Sequence, residues 1–282
     1  MKKLIWLLVL GLVVTAPVVA APLDVSLIRS VSTSAPVRQA AATADGQRFY
    51  LLLDNGMVQL HDQDGQLRGS FDAGPDVIGI VAQGNNRLLM QMKDQQQVLI
   101  VALIARVQIS TTEAPTHGNQ EAPVTIAVFD DFECPYCSRL VAPLKEVLTR
   151  YPDRAKLVFK NFPLTMHKHA RTAALAGLAA QRQGLFWPLH DLMFANYRQL
   201  NPDKIKELAQ TLGLDMARFE QDLKDPELAR KVDADIEEGK KVGVQGTPTL
   251  FINGRRVQQR TVAAMSKMID EELDRLGKKA VQ

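Results

Sequence analysis

Two regions of the chain carry different patterns of apolar and polar positions. Between about Leu23 and Ile109, short apolar runs (Phe49–Leu53, Met57–Leu60, Val77–Val81, Leu88–Met92, Val98–Ile104) are separated by Asp-Gly, Asn-Gly and Gly-Asn pairs. That grammar predicts strands joined by tight turns centred on Asp45-Gly46, Asn55-Gly56 and Asp64-Gly65, because glycine tolerates positive φ. A weak internal repeat accompanies it. Ala35-Pro36-Val37 matches Gly74-Pro75-Asp76-Val77, and Arg48-Phe49-Tyr50-Leu51 matches Arg87-Leu88-Leu89-Met90. The offset of about 39 residues is close to the ~40–45 of propeller blades. Two blades cannot close a propeller, which takes at least four. The expectation is a small all-β domain over residues 22–110 with weak blade-like repeats. Its open sheet edges would need covering, for example by a second copy of the chain.

Thr111 to Ala122 is polar, contains Pro115 and Gly118, and reads as a linker. Beyond it the pattern changes. Val124–Phe129 is a continuous apolar run of the buried-strand type, followed by a helix from about Pro135 to Tyr151 and a strand at Lys156–Phe162. From about His169 to Val242 the spacing is helical: Ala170–Arg182, Phe186–Tyr197, Lys204–Leu212, Met216–Leu223 and Glu227–Lys241. Asn201-Pro202 and Asp225-Pro226 place a capping side chain before a first-turn proline. A strand at Thr249–Ile252, an Asn253-Gly254 turn, a short Arg255–Gln259 strand and a helix from Val262 to about Leu276 complete the chain. This order predicts an α/β domain over residues 123–279 carrying a helical insertion at about 165–242.

The first twenty residues change the setting. Lys2 and Lys3 precede the apolar Leu4–Val14, Pro17 interrupts it, and Val18-Val19-Ala20 offers small residues for cleavage before Ala21. Residues 1–20 therefore read as a secretory signal and the mature protein as periplasmic or secreted. A retained membrane anchor is the weaker reading, since a spanning helix needs ~17–25 apolar residues. The hydrophobic share of 46% and charged share of 23% are those of a soluble globular protein. Removing Lys2 and Lys3 leaves 32 basic against 31 acidic side chains, and no basic stripe is visible. A nucleic-acid partner is not expected.

Cys134 and Cys137 are the only cysteines, separated by Pro135-Tyr136. Export places them in an oxidising compartment. At a strand-to-helix junction the free amides and the helix dipole favour a thiolate on Cys134, and Cys137 lies one turn further on. Cys134 is expected to attack and Cys137 to resolve the mixed disulfide. A zinc site would need two more ligands, for which His167 and His169 are the nearest candidates, and no second cysteine pair exists. A structural staple between the two would close too small a loop to contribute much. Asp130, Asp131 and Glu133 read as solvated loop charges, and His190, near Trp187, as partly buried structure.

Ala122-Pro-Val-Thr-Ile-Ala-Val-Phe-Asp-Asp-Phe-Glu-Cys-Pro-Tyr-Cys137 resembles the active-site segment of the DsbA-like thioredoxin-fold oxidoreductases, and Val244-Gln-Gly-Thr-Pro-Thr-Leu-Phe-Ile-Asn-Gly254 resembles the segment holding their cis-proline. Phe186-Trp187, His190-Asp191 and Leu212-Gly-Leu-Asp215 resemble landmarks of that family's helical insertion. The resemblance covers roughly Gly118 to Lys278. It implies a thioredoxin fold with helical insertion, catalytic Cys134 and Cys137 supported by Pro135 and Tyr136, and a cis Pro248 that presents Thr247 to an extended substrate. It implies unfolded or misoxidised protein substrates and a membrane-bound partner that recycles the pair, without metal or other cofactor. One position departs: several thioredoxin-fold proteins carry a buried acid six residues before the first cysteine, where this chain has Val128. The expected activity is dithiol oxidation. The alternatives are a disulfide isomerase or reductase acting as a homodimer through the N-terminal domain, in the two-domain layout of the DsbC/DsbG-like proteins, or a client-binding chaperone-like protein with secondary redox activity.

Overall fold

The computed structural model describes residues 26–279 apart from 95 and 105, so the expected secretory signal lies outside the described residues. The chain folds as two compact units, with the boundary along the sequence between Leu103 and Ile104. Among the described residues no helix is long and apolar enough to cross a membrane.

In the first unit, β1 (Val37–Ala42), β2 (Arg48–Leu53), β3 (Met57–Asp62) and β4 (Leu67–Asp72) form a four-stranded antiparallel meander, the shape of one blade. A second, three-stranded meander follows from β5 (Val77–Gln83), β6 (Arg87–Met92) and β7 (Val98–Ala102). The weak repeat corresponds to β1–β3 and β5–β7. The two sheets meet along β1 and β5, where the Gln39 side chain substitutes for a peptide group. It accepts from the Ile80 N–H at 2.8 Å and donates to the Ile80 carbonyl at 2.9 Å. Tyr50, Leu52, Val58, Val77, Ile80, Leu88 and Met90 form the core. The Asn55-Gly56 turn requires its glycine twice over: φ is +82°, and a Cβ would fall 2.6 Å from the Gly74 carbonyl group. Among the described residues β7 pairs on one edge only, and it exposes Val98, Leu99 and Ile100.

The second unit contains β8 (Thr116–His117), β9 (Val124–Asp130), α1 (Pro135–Arg150), β10 (Ala155–Asn161), α2 (Ala170–Gln181), α3 (Phe186–Ala195), α4 (Pro202–Thr211), α5 (Met216–Asp222), α6 (Pro226–Lys241), β11 (Thr249–Ile252), β12 (Arg255–Arg256) and α7 (Val262–Lys279). The sheet order is β12-β11-β9-β10-β8, with β9 and β10 parallel and the other pairings antiparallel. A central strand covered on both faces needs apolar side chains at successive positions, which is why Val124–Phe129 shows no alternation. Asn201 and Asp225 cap α4 and α6 by accepting from the backbone N–H groups of Lys204 and Glu227, with Pro202 and Pro226 in the first turn.

The segment that reads as a linker is built into this unit. β8 pairs antiparallel with β10, placing His117 opposite Leu157. Just upstream, the Val107 N–H donates to the Gly254 carbonyl, and Arg106 forms a two-pronged pair with Glu272. Glu272 is fully buried on α7 and also meets Arg255 and Arg275. Those three guanidinium groups outweigh burial and hold its carboxyl down to about 2. Polar composition conceals a two-residue edge strand because its contribution is backbone pairing, not a buried side-chain face.

Candidate active site

β9 ends at Asp130, and the chain turns through Asp131–Glu133 before α1 begins. Asp131 shapes that turn. Its Oδ1 accepts the Glu133 N–H at 2.8 Å, and its carbonyl accepts the Cys134 N–H at 3.0 Å. Its Oδ2 reaches the neighbouring loop, accepting the Leu164 N–H at 2.7 Å and pairing with His167 Nδ1 at 2.8 Å. Glu133 Oε2 accepts the His169 N–H at 2.6 Å. These carboxylates are therefore braces and not solvated loop charges. Amides freed by the turn and by the 163–169 loop need acceptors, and supplying them draws Asp131 out of water, to 1% exposure.

Cys134 occupies the N-cap of α1 in an extended conformation (φ −76°, ψ 122°), with Pro135 in the first turn. Cys134 and Cys137 are both buried, whereas Tyr136 is 62% exposed with the Arg139 guanidinium 4.7 Å from its ring centre. Thr247-Pro248 is a cis peptide, and the Thr247 carbonyl lies 3.5 Å from Cys134 Sγ. The Arg260 guanidinium donates to the Pro248 carbonyl at 2.6 Å. The sequence positions Cys134, Pro135, Tyr136, Cys137, Thr247 and Pro248 thus converge, although 109 residues separate Cys137 from Thr247.

The two sulfurs differ sharply in acidity. The hydrogen bond from Cys137 holds the Cys134 thiol down to about 5, against the opposing effect of burial, with Thr247 and the first amides of α1 adding to it. Among the described residues the buried Thr247 hydroxyl has no hydrogen-bond partner. Burial pushes Cys137 far above the ordinary thiol range, reinforced by its neighbours Cys134 and Asp130. Asp130 is raised to about 7, first by burial and then by the negative charge of Cys134 and Asp131. It touches Cys137, and among the described residues its Oδ1 has no partner.

Asp130 is the residue that sequence reasoning missed. Strand side chains alternate, so Asp130 shares a face of β9 with Val128, two positions closer to the cysteines. That period was the available signal. Two of the histidines are occupied elsewhere: His167 by Asp131, while His190 is buried in an aromatic cluster with Phe132, Phe159, Phe186, Trp187 and Phe194. Among the described residues no three His, Cys, Asp or Glu side chains are grouped as metal ligands would be.

A strand–helix–strand unit with a dithiol at the helix N-terminus, facing a cis-proline, defines the class of thioredoxin-fold proteins. The family profile described as thioredoxin matches residues 110–271, more than half of the chain, and the chain belongs to that family. Among solved structures it is similar to a thioredoxin-like oxidoreductase from Silicibacter pomeroyi (26% identity, TM-score 0.51, covering 59% of this chain and 94% of that one). It shares its fold with BdbD from Bacillus subtilis (24% identity, TM-score 0.55, covering 61% and 98%). Curated relatives include the Na(+)/H(+) antiporter NhaA 3 of Salinispora tropica, 41% identical over 140 residues that make up 49% of this chain and 21% of that protein. Another is the Na(+)/H(+) antiporter NhaA of Herminiimonas arsenicoxydans, 34% identical over 152 residues, 52% of this chain and 24% of that protein. The chain thus spans between a fifth and a quarter of the length of the curated relatives it matches.

Proposed function

We propose that the protein is an exported thiol–disulfide oxidoreductase that acts on unfolded or misoxidised proteins through Cys134 and Cys137, running chiefly as a dithiol oxidase and recycled by a membrane-bound partner. The observation that carries this reading is the opposed acidity of two adjacent sulfurs. One is held down to about 5 at a helix N-terminus, and the other is pushed far up beneath it.

In the oxidising direction, a substrate thiolate attacks Sγ of Cys134 and breaks its bond to Cys137. A second substrate thiolate then displaces Cys134, whose stabilised thiolate is a good leaving group. The Thr247 backbone beside the sulfur offers an extended substrate segment the hydrogen bonding of strand addition. Asp130 is placed to hold or supply the proton that Cys137 exchanges. Disulfide isomerisation or reduction, and client holding, are the alternatives. The exposed Val98, Leu99 and Ile100 of β7 favour a docking role for residues 22–110 in any of them.

The test is the pH dependence of Cys134 alkylation by iodoacetamide in the reduced protein. The rate should follow a single ionisation with a midpoint near pH 5, with Cys137 unmodified in the folded state. A midpoint at the ordinary thiol value of about 8.5 would contradict the assignment of Cys134 as nucleophile.

A further inference from the structure

Two prolines flank the attacking sulfur: Pro135 at the start of α1, and Pro248 after the cis peptide whose Thr247 carbonyl lies beside it. Each proline carbonyl is held by an arginine. Arg139 Nε donates to the Pro135 carbonyl at 3.1 Å, and Arg260 Nη1 donates to the Pro248 carbonyl at 2.6 Å. Both arginines are exposed, and they come from different places, α1 and the turn between β12 and α7. A guanidinium carries five N–H donors in a planar fork, so one tether leaves most of them free. Among the described residues neither arginine makes another hydrogen bond or pairs with a carboxylate. The carboxylates of the neighbouring turn are engaged inward. Asp130 and Asp131 are buried, Asp131 accepts from Leu164 and pairs with His167, and Glu133 accepts the His169 N–H. The two prolines thus present an approaching chain with two cations, each with donors to spare.

We infer that Arg139 and Arg260 are specificity-determining residues that select substrates with a carboxylate beside the reacting cysteine. The inference rests on the dithiol-exchange reading above and adds a substrate class to it: segments with Asp or Glu next to the cysteine. A substrate chain laid along the Thr247 edge brings its cysteine to Cys134 Sγ, 3.5 Å from the Thr247 carbonyl. Successive residues of an extended chain are about 3.3 Å apart, so those flanking the cysteine come within side-chain reach of the two prolines. Each guanidinium can take both oxygens of one carboxylate, a geometry that lysine does not offer. The proline tethers, and for Arg139 the Tyr136 ring 4.7 Å away, hold the two side chains in place before substrate arrives. Less rotamer freedom is then lost on binding. Exposed ion pairs are individually weak and screened by salt, so the consequence is a preference and not an absolute requirement.

The test uses the oxidised full chain and reduced peptides that differ only in the residues flanking one cysteine: aspartate, serine or lysine. Rates are compared per thiolate, because a flanking charge also moves the peptide's own thiol pKa. Exchange should be fastest with aspartate and slowest with lysine, over a span of about three- to tenfold at low ionic strength. At 1 M salt, where the Debye length is ~3 Å, the span should collapse. Arg139→Gln and Arg260→Gln should each narrow it, and the double variant should abolish it. Arginines that served only to hold the proline carbonyls would slow all three peptides alike and leave their ratios unmoved. Alkylation of reduced Cys134 by anionic iodoacetate, relative to neutral iodoacetamide, makes the same comparison without an exchange step. That ratio should fall by about two- to fivefold in each variant.

Equal rates per thiolate for the three peptides in the unaltered protein overturn the inference. So do ratios unmoved in folded Arg139→Gln and Arg260→Gln. If one variant fails to fold, the other and the salt dependence decide. Absence of exchange with every peptide overturns the exchange reading, and the iodoacetate ratio then decides whether the arginines draw a carboxylate to Cys134.

Discussion

Cys134→Ser is expected to abolish disulfide exchange outright, and Cys137→Ser to arrest it halfway. With the Cys134 thiol held down to about 5, roughly 99% of it is thiolate at pH 7. Serine at that position has neither the ionisation nor the capacity for an S–S bond. No mixed disulfide with substrate should form, and turnover should fall to that of the assay without protein. In Cys137→Ser the attacking sulfur and the Thr247-Pro248 edge remain, but nothing resolves the adduct. Substrate should stay attached to Cys134, visible as a higher-mass species on non-reducing gels that dithiothreitol removes. Exchange by Cys134→Ser at the unaltered rate, or no adduct in Cys137→Ser while Cys134 is free to react, would remove the mechanism.

Asp130→Asn should move stability and activity in opposite directions. The folded-state pKa of this acid is raised from 3.8 to about 7, so in the reduced protein the folded state keeps a proton that the unfolded chain has already released. Stability contributed at this site is therefore greatest below pH 4 and declines as pH rises from about 4 to 7. By pH 7 the accumulated cost is roughly 3–4 kcal/mol. An amide carries no ionisation cost but still asks for hydrogen-bond partners, so the expected gain is smaller, about 1–3 kcal/mol at pH 7 and little at pH 4. The same change removes the proton exchanged with Cys137, and the step that forms or breaks the bond to that sulfur should slow by about 10²-fold. Urea unfolding at the two pH values and single-turnover kinetics read the two effects separately. A variant both less stable at pH 7 and undiminished in rate would show that Asp130 is only a structural residue.

What could be read in the sequence was whatever depends on neighbours along the chain. The apolar run of β9, the Asn-Pro and Asp-Pro helix starts of α4 and α6, and the turn at Asn55-Gly56 each combine a local pattern with a local cause. Cys134, Cys137 and the Thr247-Pro248 edge could be read because helix position and motif order bring them together. The less legible elements are those settled by tertiary contacts. β1 is alanine-rich, β4 is interrupted by Gly69, and β8 is polar; each is a strand because a partner strand pairs with it. The same holds for charge. Asp130, Asp131 and Glu133 look alike on a loop, yet one faces Cys137 with an unpaired oxygen and the other two brace the 163–169 loop. Only the packing of β9 against α1 separates those roles.

The reduction potential of the Cys134–Cys137 couple, measured at equilibrium in glutathione buffers at pH 7, tests the central claim most directly. A Cys134 pKa of about 5 in place of 9.0 stabilises the reduced form by roughly 3 kcal/mol at pH 7, which corresponds to a potential about 60 mV more oxidising. Thioredoxin's own attacking thiol already has a pKa of ~7 at a potential of ~−270 mV, so the gain over it is about 50 mV, and the account predicts a potential between about −220 mV and the ~−120 mV of DsbA. A value at or below about −270 mV would contradict it, because the Cys134 thiolate would then not be stabilised enough to drive oxidation.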